Sequence, residues 1–166
     1  MADITVKQLG VEDWENYRRV RLAALQDSPA AFVASLEAEQ SESEEFWRER
    51  MRRSLRLVAM VDSQPVGVVS VGAADEEENA GELFGLWVHP DHRGSGVATE
   101  LVRAGAASAA RAGRNQLYYW VGTENGRAVA FASGYGFRPT HHRRPMRVVS
   151  EADGQEEIAM TLPLGS

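Results

Sequence analysis

The densest chemical signal in the chain is the run LWVHPDHRGSGVATELV, residues 86–102. An apolar stretch stops at Pro90, a short polar turn follows, and Arg93-Gly94-Ser95-Gly96 leads into a segment with helical patterning. The first N–H groups of a helix have no internal partner, and partial positive charge gathers there. Gly94 and Gly96 carry no side chains, so a ligand can approach this backbone closely. The arrangement suits an anion, a phosphate above all. Taken alone, the glycine pair also fits a plain strand-to-helix turn with no ligand. No P-loop lysine follows, and the spacing is not that of a dinucleotide fingerprint.

Other chemistry is thinner. The chain has no cysteine, which removes disulfides, thiolate metal sites and cysteine nucleophiles. His141 and His142 are adjacent, a poor geometry for a metal, and no metal site is expected. With Arg143 and Arg144 they read as a solvated loop, PTHHRRP, at 139–145. Asp75–Glu78 reads as a solvated hairpin turn, and RERMRR as the charged end of a helix. Tyr118 and Trp120 should share one face of a strand, Tyr119 and Val121 the other.

These residues need elements to hold them. Residues 3–9 alternate as a half-buried strand, and a helix follows through Trp14, Tyr17, Val20 and Leu25 to a stop at Asp27-Ser28-Pro29. SESEEFWRERMRRS reads as a second helix, acidic at its start and basic at its end. LRLVAMVD and QPVGVVSVG read as an antiparallel hairpin across DSQP. ELFGLWVH is a strand, ATELVRAGAASAARAG a helix ending at Gly113, QLYYWVG a strand and NGRAVAFASGYG a helix. MRVVS and EEIAMTL are closing strands. Strands and helices alternate only in the second half, so the sheet should be mixed, with a parallel strand–helix–strand unit from Glu82 to Val121.

The 166 residues suit a single domain, 1–166, with one core. Hydrophobic residues at 43% and charged residues at 25% fit an ordinary globule. A net charge of −6 argues against a nucleic-acid-binding face and weakly favours a cationic substrate. No apolar run reaches the roughly 18 residues that span a membrane, and MADITVKQLG lacks a signal-peptide pattern, so a cytoplasmic protein is expected.

With Arg93-Gly94-Ser95-Gly96-Val97-Ala98 after LWVHPDH, and Asn125, Ala128, Gly136 and Phe137 downstream, the sequence resembles the GNAT superfamily of acyl-CoA-dependent N-acetyltransferases. Both motifs stand in the family's order and spacing, and the element order matches. The resemblance implies an α/β (α+β) fold: a mixed, splayed sheet of about six to seven strands flanked by about four helices. It implies acetyl-CoA as co-substrate, and transfer of its acetyl group to a primary amine by direct attack in a ternary complex. Backbone N–H groups from Arg93 through Gly94, Ser95, Gly96, Val97 and Ala98 would hold the pyrophosphate. The strand at Leu86, Trp87 and Val88 would carry the pantetheine arm, Val88 by hydrogen bonding and Leu86 with an N–H facing the thioester carbonyl. Simple core packing is the other reading of those side chains. Asn125 contacts the pantetheine, caps the following helix, or does both.

The same resemblance puts Glu82, eleven residues before Arg93, where a catalytic base stands, on one strand face with Phe84, Leu86 and Val88; a solvated strand end is the alternative. The tyrosine expected seven residues after the motif asparagine is replaced by Ala132. Tyr135, one turn later, reads as a substitute proton donor or as packing for the helix end, and a tyrosine of LYYWV is a further candidate donor. Trp87 and Trp120 read as core or as the aromatic wall of an acceptor pocket. The His141–Arg144 loop has a lid or cofactor-phosphate contact as its alternative, and the acidic loop an attraction for a cationic acceptor. A homodimer is expected, since dimers are common in the superfamily. Because of Ala132, an acyl-CoA-binding module with little or no transferase activity is the rival function.

Overall fold

In the computed structural model, which describes residues 3–29, 32, 34–145 and 156–165, the patterned segments become seven strands and five helices. In chain order these are β1 (Ile4–Leu9), α1 (Trp14–Asp27), α2 (Leu36–Gln40), α3 (Glu44–Arg53), β2 (Leu55–Val61), β3 (Gln64–Ala73) and β4 (Ala80–Val88). Then come α4 (Val97–Arg111), β5 (Gln116–Gly122), α5 (Gly126–Tyr135), β6 (Arg138–Pro145) and β7 (Glu156–Pro163). The sheet order is β1-β2-β3-β4-β5-β7-β6, antiparallel except for the parallel pair β4–β5. The mixed sheet and the α4 crossover therefore stand as the sequence suggests.

One expectation changes. Residues 139–145 are not a loop: they lie in edge strand β6, paired with β7, with side-chain exposure alternating along it. Proline at both ends of the segment suits a sheet edge, where an N–H can be spared. The run at 146–150, expected as a strand, lies outside the described residues. Helix α2 is an addition, a single turn capped by Ser35 Oγ accepting from Ala38 N at 3.2 Å.

Both sheet faces are covered. Helix α4 lays Leu101 and Val102 on Leu57, Val69, Val71, Leu83 and Leu117. On the other face α1 and α3 bring Tyr17, Val20 and Trp47 against Val58, Val68 and Trp87. The β2–β3 hairpin turns on Asp62 and Ser63, both at positive φ (51° and 65°), as a two-residue turn of matching twist requires.

The central strands are shaped by two irregularities. Val68 pairs with Trp87 and Ser70 with Phe84, so Gly85 and Leu86 together oppose Val69 in a β-bulge. Gly85 sits at φ +66°, a conformation open to glycine. The extra residue reverses the alternation of β4. Phe84 stays on the face of α1, its ring near the Arg56 guanidinium that also covers Tyr17. Leu86 and Val88 instead pack into the α4-side core. Glu82 and Phe84 therefore do not share a face with Leu86 and Val88, contrary to simple period-two reading. The second irregularity is a parting: β4 pairs with β5 only over Ala80–Leu83 and Gln116–Tyr119. Beyond Leu83, β4 keeps β3 as its neighbour while β5 keeps β7.

Candidate active site

The first half of the site is the loop between β4 and α4. His89 N donates to Val66 O at 2.7 Å and starts a short 3-10 turn at Pro90–His92. Gly94 and Gly96 then lie at φ +81° and +94°. A Cβ at Gly94 would meet nothing within 4 Å, and one at Gly96 only Ile4 Cδ1 at 3.9 Å, so the loop faces open space. Gly96 caps α4 without a side-chain hydrogen bond, and the first such backbone bond is Glu100 N to Gly96 O at 3.1 Å. The N–H groups ahead of it are the unpaired ones of a helix start. The residues present thus fit an anionic diphosphate.

Arg93 has a structural task that its sequence motif does not reveal. Its Nε donates to Val88 O at 2.9 Å and its Nη2 to Asp27 Oδ2 at 2.7 Å. The same Asp27 oxygen accepts from Ser28 Oγ at 2.7 Å and Trp87 Nε1 at 3.0 Å. These bonds, Ser28 and Trp87 first and then Arg93, hold the Asp27 carboxyl at about 2 rather than 3.8. The last residue of α1 thus ties β4 to the loop. Trp87 is buried beside α1, so its ring is no part of an acceptor wall.

The second half is a cleft of about 760 Å³ where β4 and β5 part. Glu82, Phe84, Leu86, Tyr119 and Trp120 line it, so Glu82 and the Leu86 segment are brought together. Tyr119 packs at 5.9 Å from Phe137, and burial pushes its phenol above the ordinary value. Tyr135 lies elsewhere: it lines a groove between α4 and α5 with Thr99 and Phe131. Ala132 is fully buried in the core. Asn125 caps α5, its Oδ1 accepting from Ala128 N at 3.1 Å.

Several residues gain roles that composition alone conceals. The acidic turn is anchored, since Trp120 Nε1 donates to Glu76 Oε1 at 3.1 Å and Tyr118 Oη to Glu77 Oε2 at 3.0 Å. Burial first, and Glu77 second, raise the Tyr118 phenol. Arg144 of β6 lies 4.0 Å from the Trp120 ring and pairs with Glu157 at 2.8 Å on the cleft rim. RERMRR is more than a decorated helix end, since Arg50 and Arg53 enter the cleft lining with Arg21. Arg21 and Arg50 both fork the buried Glu39, at 2.9–3.1 Å. Burial pushes the Glu39 carboxyl up, but the two guanidinium groups outweigh it and hold the carboxyl below its ordinary value. No helix among the described residues is long and apolar enough to cross a membrane, and none of their His, Asp and Glu side chains cluster as a metal site.

Solved structures share this architecture. The Salmonella typhimurium protein yncA, solved with its cofactor acetyl-CoA, matches with a TM-score of 0.74 over 99% of this chain and 95% of its own, at 19% identity. A ribosomal-protein-alanine N-acetyltransferase of Brucella melitensis gives 0.72, with 96% and 99% covered at 18% identity. The PaiA N-acetyltransferase of Thermoplasma acidophilum, in complex with coenzyme A, gives 0.67, with 97% and 99% covered at 20%. At such identities the likeness is one of fold. In sequence, an uncharacterized N-acetyltransferase of Methanocaldococcus jannaschii is 33% identical over 85 residues, 49% of this chain and 38% of that protein's length. The model of the acetyltransferase (GNAT) family matches residues 13–137, from the end of the first turn through both motifs and the parted strands, and the chain belongs to that family.

Proposed function

We propose that the protein transfers an acetyl group from acetyl-CoA to a primary amine by direct attack within a ternary complex. One observation carries the reading: an open, glycine-lined helix start lies at the end of the same strand, β4, that lines the cleft with Glu82. The backbone of Arg93–Ala98 holds the pyrophosphate, and the edge of β4 beyond Leu83, left by β5, receives the pantetheine arm. Bound there, acetyl-CoA supplies a thioester carbonyl as electrophile and a thiolate as leaving group.

The chain's own groups then divide the work. Glu82 takes a proton from the acceptor ammonium, directly or through a water, which leaves the nitrogen lone pair free to attack. The Leu86 N–H donates to the carbonyl oxygen as negative charge grows on it. The departing sulfur needs a proton, and the attacking nitrogen sheds its second proton as the amide forms, which restores the group that protonates the sulfur. Tyr119 shares the cleft and stays protonated, whereas Tyr135 faces the α4–α5 groove. Tyr119 is therefore the better donor, and Tyr135 the alternative. With no cysteine in the chain, no thiol of the protein can carry the acetyl group.

Thiol release measured with acetyl-CoA and an amine panel tests the reading. Acceptor-dependent release, with initial-rate lines that intersect when both substrates are varied, is expected. Acetyl-CoA binding without acceptor-dependent release would leave the rival, a binding module; parallel lines would point to a covalent intermediate.

A further inference from the structure

We propose that the acceptor carries a carboxylate as well as its amine: the carboxylate docks on the arginine wall that α1 and α3 give the cleft, and the amine reaches Glu82 on β4. The acceptors are then amino acids and their close derivatives rather than simple amines or polyamines. The inference rests on the acetyl-transfer reading and narrows it.

Arg21, Arg50 and Arg53 line the same cleft as Glu82. Behind them Arg56, 5% exposed, donates from Nη1 to Ser70 Oγ at 2.7 Å and from Nη2 to the Arg50 carbonyl at 3.0 Å. Among the described residues, Glu39 is the carboxylate that serves this wall, and Arg21 and Arg50 share it. Four guanidinium groups thus stand on this wall, with Glu39 held between two of them and Glu82 of β4 lining the same cleft. Their crowding is felt: Arg56 is pulled below its ordinary value by burial first, with Arg50, Arg21 and Arg53 adding to it against an opposing effect of Tyr17. The chain as a whole is acidic, with net charge −6, so a cationic surplus turned toward one cleft is a local construction.

Arg53 is the group with an open fork. It is exposed and makes no ion pair among the described residues. Arg144, on the opposite rim, already has Glu157. A planar guanidinium presents paired donors that match a carboxylate. A zwitterion would set its carboxylate toward Arg53 and its ammonium toward Glu82, with Phe84, Leu86 and Trp120 beside its side chain. A polyamine would instead bring cations against arginines. The cleft volume is within the usual range for a small ligand.

The test uses reaction products, so it does not depend on turnover. The full-length protein is titrated calorimetrically with N-acetylated standard amino acids, each beside its carboxamide, with and without coenzyme A. For at least one pair the acid should bind about tenfold or more tightly than the carboxamide, as loss of a charge-assisted fork implies. In Arg53→Gln that ratio should fall at least about fivefold, and Arg53→Lys should recover only part of it. Equal affinities throughout, or tighter binding of carboxamides, would overturn the inference, as would a ratio unchanged in Arg53→Gln. Failure of the acetyl-transfer reading shows separately, as an absence of coenzyme A binding or of acceptor-dependent thiol release.

Discussion

Glu82 and the two tyrosines decide the chemistry at the scale of single residues. If Glu82 removes the amine proton, Glu82→Gln should lower kcat by about 10²–10⁴-fold, the usual span for a general base, with acetyl-CoA affinity near normal. Wild-type turnover across the pH range would remove Glu82 from the reaction. Tyr119→Phe should lower turnover more than Tyr135→Phe, since only Tyr119 lines the cleft with Glu82. The reverse order, measured by steady-state kinetics, would return the donor role to Tyr135. Ala132, where the motif leads one to expect a tyrosine, is fully buried and leaves no proton donor at that position.

Among elements, the joint between α1, β4 and the glycine loop matters most. Asp27→Ala should leave the Arg93 guanidinium without its carboxylate and raise the KM for acetyl-CoA about fivefold, with kcat largely kept. The pH dependence has a definite sign. The Asp27 carboxyl titrates lower in the fold, at about 2 against 3.8, so its contribution is complete above pH 3.8 and disappears as pH falls through about 2. The stability difference between wild type and Asp27→Ala, measured by denaturant unfolding at several pH values, should follow that course. Gly96→Glu should abolish acetyl-CoA binding, because a side chain and a negative charge enter the anion seat at φ +94°. Gly113→Ala, at φ +86° on the far end of α4, carries similar backbone strain and should bind normally; equal loss in both would mean that strain, not the seat, explains the effect. This scale also marks the limit of the sequence. Hydrophobic periods of two and 3.6 marked six of the strands and four of the helices, but not the single turn α2 or the charged edge strand β6, and the glycine and asparagine motifs pointed to the loop and to α5. The bulge at Gly85 looks locally like any glycine in a strand, yet it reverses the faces of Leu86 and Val88. Asp27 meets Arg93 across 66 positions, and Arg21 and Arg50 meet on Glu39, through packing that no local pattern encodes.

For the molecule as a whole, one sheet serves both stability and access. Its α4 face carries a buried apolar core, and Leu101→Ala there should cost about 2–5 kcal/mol, read from the urea midpoint with an unchanged slope. A much smaller loss would mean that α4 is not firmly seated. The cleft takes lining from both faces, Leu86 and Tyr119 from the α4 side and Phe84 from the other, and the parting of β4 from β5 is the opening that the proposed acceptor would use. The fold, the open glycine loop and the cleft with Glu82 are the support for the proposed acetyl transfer to an amine. The most direct measurement is mass spectrometry after incubation with carbon-13 acetyl-CoA and a mixture of amines and amino acids. The label is expected on the nitrogen of an acceptor, with the mass of the protein unchanged. Label appearing only as free acetate, or remaining on the chain itself, would contradict direct transfer at this site.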